Sequence, residues 1–284
     1  MNSIAITGST GYIGGLVART LADAGVPQRL IVRDTARAPR LDGAEVAQAS
    51  FGDRAAVEAA LADIDTVLMV SASESEDRVD VHRAFVDAAS AAGVSHLVYI
   101  SFLGASPSAT FTLARDHYAT EQHIAASGLA HTVLRDALYL DFMHMLVGDD
   151  GVIRGPAGDG RVRGVSRADV AGVAAAVVRD PAAHAGARYD LVGPESLTMT
   201  EIAAIVSRAR GTDVTFYNET IDEAYASRAR WNAPGWQVDA WVSTYTAIAA
   251  GEMDATSDAV ERVTGRAPQS LAEVLAATTA GALR

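Results

Sequence analysis

The sequence has 284 residues, of which 49% are apolar and 20% charged, with a formal net charge of −12 and no cysteine. That length carries one large domain, or a domain with a smaller appendage, and ample core. The acidic balance argues against a nucleic-acid partner, and the absence of cysteine excludes disulfides, thiolate catalysis and Cys–zinc sites.

Residues 3–7 form a short apolar run, read as a buried strand. Gly8-Ser9-Thr10-Gly11-Tyr12-Ile13-Gly14 follows, and helical spacing begins at once with Leu16, Val17 and Leu21. Strand, glycine turn and helix in this order put a helix N-terminus where a pyrophosphate can sit. Three glycines in seven residues point to close backbone approach, because glycine in a turn costs chain entropy. The spacing is GxxGxxG rather than the GxGxxG of the common dehydrogenase fingerprint, so its weight comes from its place at the head of a βαβ unit. The plain alternative is a glycine turn that binds nothing.

Further strands are expected at 29–33, 45–49, 66–70, 96–101 and 131–135. The run 66–70 is uniformly apolar, as in a parallel strand covered on both faces. Helices are expected at 53–62, at 79–92 before Gly93, and at 111–127 before Gly128, glycine being the usual residue just past a helix C-terminus. This alternation predicts an α/β fold, a Rossmann-type doubly wound parallel sheet with right-handed crossovers and a ligand outside the carboxyl ends of the strands.

Beyond 136 the rhythm changes. A Met- and aromatic-rich helical stretch is expected at 138–146, a glycine-rich loop with short strands at 151–164, a helix at 167–178 and a strand at 188–192. A capping box at 198–201 opens a helix to about 210, a strand is expected at 214–217, and the remainder is helical, with a second capping box at 270–273. Residues 1–136 are therefore read as an NADP-binding Rossmann domain with later returns to its sheet. Residues 137–284 are read as a smaller, mostly helical substrate lobe interleaved with it.

Arg33 ends the second strand nineteen residues after Gly14. An acidic side chain there selects NAD through the ribose hydroxyls, whereas an arginine can hold the 2′-phosphate of NADP. Asp34 follows directly, but Arg37 and Arg40 add positive charge, so NADPH is expected over NADH. A solvated strand end is the alternative for Arg33. The small residues of Val70-Ser71-Ala72-Ser73 suit close approach of a cofactor, or simply form a loop.

Ser101 ends the fifth strand and Tyr118 lies on the next helix, the places where short-chain dehydrogenases carry serine and Tyr-x-x-x-Lys. Here the lysine position is Gln122, so Tyr118 lacks the cation that would make it an effective general acid. His117 is the other candidate, either donating to a substrate oxygen or half-buried and structural. Tyr139, Phe142 and Met143 suit a flat apolar ligand over a nicotinamide, though such a stripe also suits a core. Asp169 reads as a helix-start acid. His82 and His144 read as structural, and no histidine falls at a metal-ligand spacing, so no metal is expected.

No apolar run approaches the ~18 residues of a membrane helix. With the first strand starting at about residue 3 no signal peptide is expected, and the protein is read as cytoplasmic.

Taken together, the chain resembles the NmrA-like branch of the atypical short-chain dehydrogenases, and most closely the type-2 NAD(P)H:quinone oxidoreductases and triphenylmethane reductases. Beyond the glycine turn, the resemblance rests on Val32-Arg33-Asp34, Phe51-Gly52-Asp53, His117 to Glu121, Leu134-Arg135 with Tyr139, Ala157-Gly158-Asp159-Gly160, Arg167-Ala168-Asp169 and Thr264-Gly265. It implies that Gly8, Thr10, Gly11, Tyr12, Ile13 and Gly14 contact the pyrophosphate or ribose. Arg33 would contact the 2′-phosphate, Phe51 and Asp53 the adenine side, and Val70, Ser71 and Ala72 would pass under the cofactor. Ser101, Tyr139, Phe142 and Met143 would line the substrate pocket.

The implied reaction is direct hydride transfer from NADPH to a quinone or other conjugated small-molecule electron acceptor, with no dedicated acid–base residue. The implied protein is a monomer or homodimer. The alternative is a non-catalytic NADP(H)-binding redox sensor of the same family. A sugar-nucleotide epimerase or dehydratase is disfavoured by Gln122.

Overall fold

The computed structural model describes residues 3–282, with side chains through residue 278. In chain order the first half runs β1 (Ile4–Thr7), α1 (Tyr12–Asp23), β2 (Gln28–Val32), β3 (Ala44–Gln48), α2 (Arg54–Ala60), β4 (Thr66–Met69), α3 (Arg78–Ala91), β5 (His96–Phe102), α4 (Thr112–Ala126) and β6 (Ala130–Asp136). The second half runs β7 (Val152–Gly155), β8 (Arg161–Val162), α5 (Arg167–Arg179), β9 (Arg188–Leu191), β10 (Leu197–Thr198), α6 (Met199–Arg210), β11 (Thr215–Asn218), α7 (Ile221–Arg228), α8 (Gly235–Ala249), α9 (Ala259–Thr264) and α10 (Leu271–Ala282).

The central sheet has the order β3-β2-β1-β4-β5-β6-β9 and is parallel throughout, as the βα alternation requires. Each strand divides its side chains between two layers, since successive residues point to opposite faces. Ile4, Ile6, Leu30, Leu68, Val98, Ile100 and Leu134 pack against α1, α5 and α9. Ala5, Ile31, Val67, Met69, Leu97 and Tyr99 pack against α2, α3 and α4. Buried along their whole length, the central strands β1, β4 and β5 read as mostly apolar runs.

The strand order reverses between β1 and β4, so the crevice that binds ligands in such sheets lies at their carboxyl ends. Arg33 and Val70 each fall one residue past their strands rather than inside them.

The second half returns to the sheet through β9, which pairs with β6 along Val133–Asp136, and through α5, which shares the first cluster with α1. The rest builds a third cluster around Ile153, Val162, Met199, Ile202, Val206, Tyr245 and Ile248. Parallel β7–β11 and antiparallel β8–β10 pairs support it. The stretch expected as a helix over 138–146 is a 3-10 segment, Leu140–Leu146. Its ends are drawn into bridges from Tyr139 to Val165 and from Val147 to Ile153, which tie both ends of the segment to other parts of the chain.

The Ala157 to Gly160 piece has a packing reason. A Cβ on Gly160 would meet the Ile248 carbonyl oxygen at 2.1 Å, and one on Gly155 would meet the Tyr245 ring at 2.2 Å, so α8 rests directly on this backbone. Gly160→Ala is expected to lower stability by about 1–3 kcal/mol through overpacking, measured by denaturant unfolding. An unchanged midpoint would show that α8 moves freely.

Candidate functional site

The glycine turn is fixed by what surrounds it. The Thr7 hydroxyl donates to the Leu68 carbonyl at 3.0 Å and accepts from the Val70 N–H at 2.9 Å, tying the ends of β1 and β4 together. Gly8 then adopts φ +66, and a Cβ there would meet Val70 at 2.9 Å. A Cβ on Gly14 would lie 2.5 Å from the Gly8 carbonyl, so only glycine lets α1 start this close to the strand. Gly11 donates to the Gly8 carbonyl at 2.9 Å and is the N-cap of α1.

No side chain caps that helix start, and its first turn holds no acid. Among the described residues, the buried Ser9 hydroxyl has no partner. Uncommitted first-turn N–H groups, an orphaned hydroxyl and a turn shaped by glycine fit a dinucleotide pyrophosphate. Thr10 and Tyr12 are exposed on this rim, and Ile13 is buried behind it.

Beyond β2, Arg33, Arg37 and Arg40 are all exposed, and none enters an ion pair among the described residues. Asp34, which blurred the cofactor preference in the sequence, is occupied locally, its carboxylate accepting from the Ala36 N–H at 3.0 Å. Asp53 caps α2 by accepting from the Ala56 N–H at 3.1 Å. The half-buried Phe51 stacks on Phe85 with ring centres 4.3 Å apart.

Val70, Ser71 and Ala72 continue from β4 as a half-buried loop, and a buried polar chain holds it from behind. The Ala72 N–H donates to His82 Nε2 at 2.9 Å, and the Ala72 carbonyl accepts from Arg78 Nε at 3.1 Å. His82 Nδ1 reaches Thr120 at 2.9 Å. Arg78 Nη2 reaches His117 Nε2 at 3.1 Å, and His117 Nδ1 reaches the Tyr99 hydroxyl at 2.9 Å. Since an amide and a guanidinium can only donate, both Nε2 atoms accept, and each imidazole is neutral with its proton on Nδ1.

Burial, reinforced by Arg78, lowers the His82 pKa to about 3 and holds His117 well below the ordinary histidine value. The reading of His117 as a donor to substrate is therefore corrected. It lies inside the fold, with one nitrogen spent on Arg78 and the other on Tyr99.

Ser101 and Tyr118 are corrected as well. Ser101 is fully buried and donates to Glu121 Oε1 at 2.5 Å. Glu121 also receives Arg135 through both carboxylate oxygens, at 2.8 and 2.6 Å. The inward face of α4 carries His117, Thr120, Glu121 and Ile124. Tyr118 is half-buried and Gln122 exposed, one residue out of register with that face. The pair that faces the sheet in place of Tyr-x-x-x-Lys is thus His117 and Glu121.

Tyr139, Phe142 and Met143 do come together. With Met145, Trp231, Trp241 and Tyr245 they line a cavity of about 930 Å³. Trp231 and Trp241 meet edge to face at 5.7 Å. Arg167 links this cavity to the glycine turn: its guanidinium lies 4.0 Å from the Tyr12 ring centre and 4.6 Å from that of Phe142. Asp141 sits 3.1 Å from Arg167 Nε, although Nε lacks the alignment for a hydrogen bond.

At the carboxyl end of β6, Asp136 is buried and accepts a short hydrogen bond from the Tyr139 hydroxyl. Burial raises the Asp136 pKa to about 8 against the opposing pull of Tyr139 and Arg78. Burial likewise pushes Tyr139 well above the ordinary phenol value, and the Asp136 charge adds to it.

Arg78, Asp136 and the two tryptophans were missed as site residues from the sequence. Asp136 left one signal, an acid directly at the carboxyl end of an expected strand. Arg78 left none, because an arginine in the first turn of a helix ordinarily reads as solvated.

The model of the NmrA-like family matches residues 1–228. Quinone oxidoreductase 2 of Escherichia coli is 34% identical over 279 residues, covering 95% of this chain and 96% of its own. An NADPH-dependent quinone oxidoreductase from Escherichia coli, solved with NADPH, superposes with a TM-score of 0.89 at 33% identity, covering 97% of this chain and 99% of that one. Triphenylmethane reductase of a Citrobacter species, solved with NADP(H), superposes with a TM-score of 0.86 at 30% identity, covering 96% and 99%.

A folded-state carboxyl pKa above the unfolded value means that Asp136 favours folding below about pH 4, and that this contribution is lost as pH rises to about 8. Asp136→Asn removes the dependence. Between about pH 5 and pH 8 the variant should gain on the order of 4 kcal/mol relative to wild type, measured by chemical denaturation at each pH. Parallel stability curves would contradict the assignment.

Proposed function

The chain belongs to the NmrA-like family, and on that footing we propose that it is an NADPH-dependent oxidoreductase passing a hydride directly to a quinone-like or other conjugated small-molecule acceptor. One observation carries the reading: a wide, aromatic-walled cavity stands one stacked cation away from the dinucleotide turn. Relatives named for quinones and triphenylmethanes, with NADPH or NADP(H) in their structures, support the same reading.

In this proposal the backbone from Gly8 to Gly14, with Thr10, Gly11, Tyr12 and Ile13, surrounds the pyrophosphate and ribose. Arg33, supported by Arg37 and Arg40, meets the 2′-phosphate. Phe51 and Asp53 border the adenine, and Val70, Ser71 and Ala72 pass beneath the cofactor. Tyr139, Phe142 and Met143 wall the acceptor site.

When bound, NADPH supplies the hydride. The chain holds the acceptor against an apolar wall, excludes water and fixes orientation, which is where a protein without a nucleophile contributes most to rate. The Ala72 loop is held by the neutral His82 ring on its N–H and by the Arg78 guanidinium on its carbonyl. Among the described residues no helix is long and apolar enough to cross a membrane. Work in the cytoplasm, as a monomer or homodimer, belongs to the same proposal.

Consumption of NADPH with a panel of benzoquinones, naphthoquinones, azo compounds and cationic dyes tests the reading. Tight NADPH binding without consumption by any acceptor would overturn it in favour of a sensor. In the active protein, Arg33→Glu is expected to raise the KM for NADPH about tenfold or more while leaving that for NADH nearly unchanged. Equal effects on both dinucleotides would remove Arg33 from the 2′-phosphate.

A further inference from the structure

We propose that Tyr139 is the proton donor to the reduced acceptor, with the Asp136 carboxyl behind it as its proton source. The proposal rests on the oxidoreductase reading above and adds to it a step that serves quinones and not cationic dyes.

The geometry fixes both groups. Asp136 closes β6 between Phe102 of β5 and Leu191 of β9, and its carbonyl accepts from the Leu103 N–H at 2.8 Å. Three residues on, the Tyr139 backbone is bridged to Val165 and the next N–H donates to the Val165 carbonyl at 3.0 Å. The phenol is thereby held with its hydroxyl on the Asp136 carboxyl and its ring on the cavity wall, edge-on to Phe142. Asp136 is on the sheet side and Tyr139 on the acceptor side, so the pair is a two-member path from interior to cavity.

The number of protons on the pair decides what it can do. With one proton, the phenol hydrogen is spent on the carboxylate. With two, the carboxyl donates to Tyr139 Oη, and the phenol O–H is free to point into the cavity. Only the doubly protonated pair presents a donor to substrate.

The charged and titratable groups facing the pair are Arg78 of α3 and Tyr99 of β5 on the Asp136 side, and Arg167 of α5 and Asp141 on the Tyr139 side. Burial outweighs Arg78 and raises Asp136 to about 8, which keeps the pair loaded near neutrality, the range in which a general acid is most effective.

The balance distinguishes two acceptor classes. A quinone takes two electrons and one hydrogen as hydride, leaving NADP⁺ and a quinol monoanion that still needs a proton. The Tyr139 Oη–H bond breaks as the acceptor O–H bond forms, the Asp136 proton moves to Tyr139 Oη, and the Asp136 carboxylate regains a proton from water. A cationic triphenylmethane dye takes the hydride on its central carbon and becomes a neutral leuco compound, with no proton required.

The test compares the two acceptors with saturating NADPH from about pH 6 to about pH 9, spanning the carboxyl's titration. In the wild type, quinone kcat/KM should fall about tenfold per pH unit above the carboxyl pKa, while dye reduction stays flat. Tyr139→Phe also alters the acceptor wall, so the readout is the difference between acceptors: quinone kcat should fall roughly tenfold or more beyond any fall in dye kcat. Asp136→Asn should erase the falling limb for quinones. Equal loss of quinone and dye reduction in Tyr139→Phe, or a falling limb that persists in Asp136→Asn, would overturn the relay while the oxidoreductase reading stands. If only quinones are turned over, the fate of that limb decides alone. Failure of the wild type with every acceptor would instead overturn the reading beneath it.

Discussion

A single hydroxyl sets the geometry of the cofactor side. Thr7 bonds to both the carbonyl of Leu68 and the N–H of Val70, so the two strand ends at the point of reversal cannot drift apart. With that spacing fixed, Gly8 must lie against Val70 and Gly14 against the Gly8 carbonyl. The N-terminus of α1 is then delivered to the crevice without a cap of its own. The glycines are a consequence of this closeness: a strand and a helix packed at backbone distance leave no volume for a Cβ. The strand pairing supplies the force that keeps them there.

Behind the loop, charge is handled in an uncommon way. Arg78 is buried, yet it enters no ion pair among the described residues. Its hydrogen bonds go to a carbonyl and a neutral imidazole. Burying a guanidinium so is costly unless its donors are matched, and the cost is offset here by the Ala72 carbonyl and the His117 ring nitrogen, which accept from it. Elsewhere the fold uses the ordinary solution: Arg135 is neutralised by Glu121, and Arg228 by Glu219 at 2.8 Å. The same interior therefore holds neutralised cations where it is structural and an unneutralised one beside the crevice.

Much of the sheet was legible in the sequence, for a physical reason. The fully buried central strands β1, β4 and β5 are mostly apolar, and Gly93 and Gly128 end their helices at positive φ of 80 and 81, which few other residues accept. The capping box at Thr198 and Glu201 closes as its spacing requires. The 138–146 stretch was not legible. Its composition suits a helix, but bridges to Val165 and Ile153, made by residues distant in the chain, override local preference. Tyr118 and His117, both on α4, were misplaced for a related reason. A helix can turn by one residue against its sheet without changing its pattern, and only the packed neighbours Glu121 and Arg135 reveal which face looks inward.

The cavity walls hang from segments that take no part in the central switch of strands. Residues 138–154 and 227–248 supply nearly all of them, held by two small strand pairs and α8. Trp231, Trp241 and Met145 can therefore be exchanged by drift without disturbing the bonds of Thr7 or the fit of Gly14. A fold arranged this way can change its diet while keeping its fuel, so divergence among its descendants should collect in the wall and spare the floor.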